Sequence, residues 1–67
     1  MLMLVILKNV SKHFLKERDY DLALFYTRIF ERVVREKELS EEERVRWLYQ
    51  YMLLCQELEG LKKEILL

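Results

Sequence analysis

Residues 47–55 read WLYQYMLLC, an apolar run that only Gln50 interrupts. Wound into an α-helix, such a run leaves no polar face, so it must be covered from several sides at once. A chain of 67 residues has little to cover it with. A domain of this size buries only roughly 60% of the surface its unfolded chain exposes, yet 52% of these residues are apolar and both chain ends are apolar too. The surplus predicts a partner.

The run belongs to a longer pattern. Trp47, Tyr51, Leu54, Leu58, Leu61 and Ile65 repeat at four and three residues, while Val45, Leu48, Met52 and Cys55 form a second stripe beside them. Two stripes serve two neighbours: the chain's own helices and a second chain, with a symmetric copy as the expected partner. The pattern runs in register across Gly60, and Glu59 and Lys63 are spaced for an i, i+4 pair, so the glycine is read as interior to the helix.

The start of that helix is set by Ser40-Glu41-Glu42-Glu43. A serine followed three residues on by glutamate is a capping box, in which hydroxyl and carboxylate satisfy reciprocal orphan N–H groups. Three carboxylates in the first turn also lie favourably against the positive end of the helix dipole. They are not read as a cation site, because three consecutive helical residues point in three directions. Upstream, Asp19 can cap a helix from Tyr20, with Lys16 and Arg18 at the end of the one before. The alternative is one unbroken helix to Glu36. In the first segment Met3, Leu7, Val10 and Phe14 share a stripe that Leu4 and Ile6 widen. In the second, Leu22, Phe25, Tyr26, Ile29, Phe30, Val33 and Val34 oppose Arg28, Glu31, Arg32 and Arg35. The pairs Glu31–Arg35 and Glu42–Arg46 support the helical register.

One glycine, no proline and an abundance of Leu, Glu, Arg and Lys suit long helices. The expected fold is therefore all-α: a single domain over 1–67, an antiparallel hairpin or three-helix unit at about 2–17, 20–37 and 41–66, assembling into a homo-oligomeric bundle, most simply a dimer. Leu4 and Leu7 of the N-terminal run, with Trp47, Tyr49, Tyr51, Leu54, Leu58, Leu61 and Ile65 of the third helix, are the expected protein interface. Tyr49, between the two stripes, is the aromatic expected to be exposed.

Charge and chemistry exclude more than they assign. Twelve basic and twelve acidic residues sum to zero, which gives no field to attract nucleic acid or an anionic membrane. Arg28, Arg32, Arg35 and Arg44 could form a basic patch only across chains, diluted by acidic neighbours. MLMLVIL is too short to span a membrane and lacks the basic and small-residue flanks of a secretory signal. With the single Cys55 it points to a reducing, cytoplasmic setting. There is one histidine, no glycine-rich phosphate loop and no metal-ligand spacing, so neither a catalytic constellation nor a cofactor or metal is expected. His13 reads as an exposed imidazole near a helix end and Cys55 as a small core residue.

Leu7, Val10, Ser11 and Phe14, followed by Asp19-Tyr20 and Ala23, resemble the signature of a tetratricopeptide repeat over about half the chain. The resemblance implies two antiparallel helices whose concave face takes an extended peptide or a partner helix, with Ser11 and Ala23 as the small residues allowing close approach. Thr27 and Phe30 depart from that pattern, and residues 41–67 hold no second repeat. The layout is also similar to small flagellar type III export chaperones, with Arg18-Asp19-Tyr20 at one turn and Leu39 to Glu43 opening the long helix. That likeness implies an apolar stripe holding an amphipathic helix of a substrate. DYDLALFY (residues 19–26) resembles part of a HEPN-type domain, but His13 precedes the arginines, so the Arg-x4-6-His motif of its nucleases is not formed. The function expected is a non-enzymatic protein-interaction module that associates with itself, and with an amphipathic helix or peptide as a further partner. The alternative is a purely structural bundle with no separate ligand. A groove of Tyr26, Phe30, Trp47 and Tyr51 left open would favour the former.

Overall fold

A computed structural model describes residues 2–66, so the Met1 end of the apolar run lies outside the described residues. Three helices follow in order: α1 (Leu2–Lys16), α2 (Tyr20–Glu36) and α3 (Glu41–Leu66). They pack together within 41 × 16 × 15 Å, a length set by the 26 residues of α3. Among the described residues there is no strand, and no helix is long and apolar enough to cross a membrane.

Both junctions are built by local hydrogen bonding. At the end of α1 the Asp19 N–H donates to Phe14 O (2.9 Å) and the Arg18 N–H to Leu15 O (3.1 Å), the paired bonds of a Schellman motif. That motif requires a left-handed residue, here Arg18 at φ 61° instead of the usual glycine. A side chain there costs about 1 kcal/mol, which the Arg18–Glu64 ion pair (2.6 Å) to the far end of α3 offsets only in part, because both groups are exposed. Asp19 then opens α2 by accepting the Leu22 N–H at Oδ1 (3.2 Å). The first two helices are thus separate.

At the second junction the capping box forms as the spacing demands. The Glu43 N–H donates to Ser40 Oγ (3.2 Å), and the Ser40 N–H donates to Glu43 Oε1 (3.3 Å). Arg44 adds a device that sequence reading does not show. Its guanidinium reaches back to the C-terminus of α2 and donates to the carbonyls of Val34, Arg35 (3.1 Å) and Lys37 (3.0 Å). These are the orphan acceptors of a helix end, and the cation also lies favourably against the negative end of the dipole.

The core contains Leu4, Ala23, Phe30, Val34, Leu54, Leu58 and Leu61, all buried. Leu7, Leu15, Val33, Leu39, Trp47, Leu48 and Tyr51 pack against its centre, with Phe30 edge-to-face on Trp47 at 5.9 Å. The inward stripe of α1 is a correction to the sequence reading: Leu4 and Ser11 point in, whereas Met3 is 53% exposed. The reason is steric. Ser11, Ala23 and Thr27 are fully buried inside the three-helix unit, Thr27 beside Tyr51, Cys55 and Leu58 of α3, and small side chains let the helices approach. On α2 the buried line is accordingly Ala23, Thr27, Phe30 and Val34, which turns Leu22 and Phe25 outward. α3 continues through Gly60, as its register requires, and a Cβ placed there would meet nothing. Glu31–Arg35 (2.9 Å) and Glu42–Arg46 (2.7 Å) form, whereas Glu59 and Lys63 are not an ion pair.

Two substitutions test this account. Arg44→Ala should lower the free energy of unfolding by about 2 kcal/mol, and lysine should not restore it because a single ammonium cannot reach three carbonyls. Ser11→Ala should raise it by about 1 kcal/mol, since the Ser11 hydroxyl is buried without a hydrogen-bond partner and alanine is the better helix former. Thermal and denaturant unfolding followed by circular dichroism checks both.

Candidate functional site

Turning Ser11, Ala23 and Thr27 inward fixes what the hairpin shows outward. At 100° per residue, Met3, Ile6, Val10 and Phe14 lie on the flank of α1 nearest α2, and Leu22, Phe25, Tyr26 and Ile29 lie on the facing flank of α2. Met3, Ile6 and Phe25 are each more than half exposed, and Leu22 is 39% exposed. Phe14 stacks on Tyr26 at 5.6 Å with the rings 7° apart, and Phe25 stands edge-on to Tyr26 at 5.2 Å, so the aromatics tie the two flanks into one surface. A shallow depression lies between Ile6, Val10, His13, Phe14 and Tyr26. Arg32 and Glu36, exposed and seven residues beyond Phe25 and Ile29, place charge at the far end of the α2 flank.

A second apolar strip runs along the outer side of α3, where Val45, Tyr49 and Met52 are exposed at 65%, 54% and 46%. Beside it Lys8, Glu43, Arg46, Trp47 and Gln50 complete a groove of about 670 Å³ between α1 and α3. Lys8 Nζ stands 5.9 Å from the Trp47 ring centroid, a cation–π distance.

These positions redraw the expected interface. Leu4, Leu54, Leu58 and Leu61 belong to the chain's own core, because the α1–α2 pair covers the four-three stripe of α3 along its middle. Leu7, Trp47 and Tyr51 are half-buried against that core. Tyr49 and Ile65 alone of the nine stand on the surface, Ile65 because the end of α3 outruns the hairpin. The groove of Tyr26, Phe30, Trp47 and Tyr51 is not open: Phe30 is interior, against Trp47, and Tyr26 is stacked on Phe14 of α1. The arginine cluster is divided as well, with Arg44 on the α2 carbonyls and Arg35 on Glu31.

The polar chemistry is sparse. Among the described residues no three His, Cys, Asp or Glu side chains are grouped to hold a metal ion. Among the described residues the strongly perturbed group is the Tyr51 phenol, pushed up from 10.0 to about 12 by the neighbouring Cys55 side chain, by partial burial and by the nearby Glu31 carboxylate. The environment favours the neutral phenol.

Comparison with protein-family models, curated proteins and solved structures returns no significant match.

Tyr51 carries a pH signature. Its folded pKa lies above the unfolded value near 10, so its contribution to stability is complete below pH 10 and is lost as pH rises from 10 towards 12. Ultraviolet titration should show one of the four tyrosines ionising last. Tyr51→Phe should abolish that final step and flatten the alkaline fall in stability.

Proposed function

We propose that this chain is a non-enzymatic association module, which acts by binding protein through apolar helix faces and which binds itself. The exposed Met3, Ile6, Leu22 and Phe25 of the α1–α2 hairpin carry the reading, because the fully buried centres of protein interfaces are depleted in charge and enriched in aromatic residues and methionine.

The role of adaptor, chaperone or regulatory subunit follows if one apolar face stays free after self-association. The strip along Val45, Tyr49 and Met52 beside the Trp47 groove is suited to an amphipathic helix or an extended segment of another protein. A structural bundle with no separate ligand is the second reading, and it gains from the burial of Phe30, which removes the aromatic groove a peptide would have used.

Sedimentation velocity across a concentration series tests the proposal. The expected result is a reversible dimer at micromolar concentration, with a melting temperature that rises with protein concentration. A folded chain that remains monomeric at a hundred times that concentration refutes self-association.

A further inference from the structure

Two of the four arginines grouped in the sequence are taken up by the fold: Arg44 donates to the end of α2, and Arg35 is paired with Glu31 at 2.9 Å. Arg28 and Arg32 remain exposed, and among the described residues neither has a carboxylate within ion-pair distance, Glu36 one turn beyond Arg32 included. They lie four residues apart on α2, so their side chains leave the helix side by side. Like charges at that spacing weakly destabilise a helix, and the fold supplies neither with a contacting counter-ion.

Both guanidiniums line a groove of about 530 Å³ between α2 and α3. The α3 wall of that groove is Tyr51, Cys55 and Leu58, so it brings no charge, and Tyr51 presents a neutral phenol because its pKa is raised. The carboxylates of the groove are Glu31, which Arg35 engages, and Glu36. Thr27 lines the same groove. It is 1% exposed, and its hydroxyl is buried without a hydrogen-bond partner in the chain. An unpartnered polar atom beside a cleft is one that a bound molecule can satisfy. Ser11, whose hydroxyl is also unpartnered, does not line this groove.

Two adjacent guanidiniums without carboxylate partners match an anion that carries about two charges. A phosphate monoester has a charge of about −1.5 to −2 at pH 7 and three strong acceptor oxygens, and the guanidinium fork binds phosphate bidentately. A carboxylate has one charge and fills one fork only. Glu31 and Glu36 flank the pair, which suits a single compact anion and repels a polyphosphate chain, while Leu24 and Leu58 give the groove an apolar part for the body of an ester. We propose that Arg28 and Arg32, with the hydroxyl of Tyr51 and the thiol of Cys55 across the groove, bind a phosphate monoester, borne either by a free small molecule or by a phosphorylated side chain of another protein. The site is separate from the exposed apolar residues of α1 and α2, so it stands or falls apart from self-association.

Nuclear magnetic resonance of the isotope-labelled chain, titrated with phenyl phosphate at neutral pH and at an ionic strength held constant with sodium chloride, tests the site. The side-chain Nε–H signals of Arg28 and Arg32 and the backbone signals of Tyr51 and Cys55 should move along one saturable curve, while those of Arg46, exposed on α3 and paired with Glu42, stay in place. Arg28→Gln and, separately, Arg32→Gln should each raise the dissociation constant at least about ten-fold, and Arg46→Gln should leave it within about two-fold. Benzoate, with the same ring and one charge, should bind at least about ten-fold more weakly than phenyl phosphate. Circular dichroism of each variant monitors retained helix. A phosphotyrosine peptide then assigns the source: binding as tight as that of phenyl phosphate supports a phosphorylated protein, and exclusion of the peptide supports a free ester. Shifts that do not saturate, that appear equally at Arg46, or that persist unchanged in the Arg28→Gln and Arg32→Gln variants overturn the site, and benzoate binding as tightly as phenyl phosphate overturns its ligand.

Discussion

The burial of Ser11 on α1 and of Ala23 and Thr27 on α2 is the constraint from which the remaining geometry follows. All three side chains are small and none retains more than 1% of its exposure. Helices that meet on small residues have their rotation about their own axes fixed, because any other face would bring bulky side chains between the backbones. Once that seam is set, Leu4, Phe30 and Val34 are directed at the groove that α3 fills, and Met3, Ile6 and Phe25 are directed away from it. The two buried hydroxyls that find no partner are the cost of using Ser11 and Thr27 at the seam.

The junctions hold the seam in place at both ends. Asp19 supplies its N–H to the Schellman closure of α1 and its carboxylate and carbonyl to the start of α2, so one residue ends a helix and begins the next. Arg44 joins the end of α2 to the first turn of α3, and Arg18 joins the α1–α2 turn to the last turns of α3. The two contacts differ in weight. Three charge-assisted bonds to carbonyls, that to Val34 partly buried, stabilise more than one exposed ion pair, and the left-handed backbone at Arg18 opposes its own side chain's contribution. The α2–α3 junction is accordingly the firmer of the two.

Helix boundaries were legible because capping is local chemistry. The hydroxyl and carboxylate of Ser40 and Glu43 act over three residues, and so does Asp19 on Leu22, so the sequence contains both partners of each bond. Helix faces were legible only in part. On α1 apolar residues occupy most of the circumference, and hydropathy favours the stripe through Met3 and Val10 over one that runs through a serine. The buried stripe is the one with Ser11, because fit against Ala23 and Thr27 outweighs hydropathy at a close crossing. The same rotation explains why Leu4, Leu54, Leu58 and Leu61 are interior and Leu7, Trp47 and Tyr51 half-buried, while Ile6 and Phe25 are exposed. A search for small residues on two successive helices, Ser11 against Ala23 and Thr27, was the signal available. Arg44 had no such signal, since its acceptors are main-chain carbonyls seven to ten residues upstream.

The distribution of apolar surface follows from having three helices rather than four. Two helices laid side by side have two common faces, and a single third helix covers one of them. Here α3 takes the face with Leu4 and Phe30, and its length and its own apolar stripe are matched to that groove. The other face retains side chains of the same character, including a stacked aromatic pair that spans both helices. A polar residue at Ile6 or Phe25 would not disturb the seam, because neither touches Ser11, Ala23 or Thr27 across the core side of its helix. Folding of the single chain therefore places no demand for isoleucine or phenylalanine at those positions.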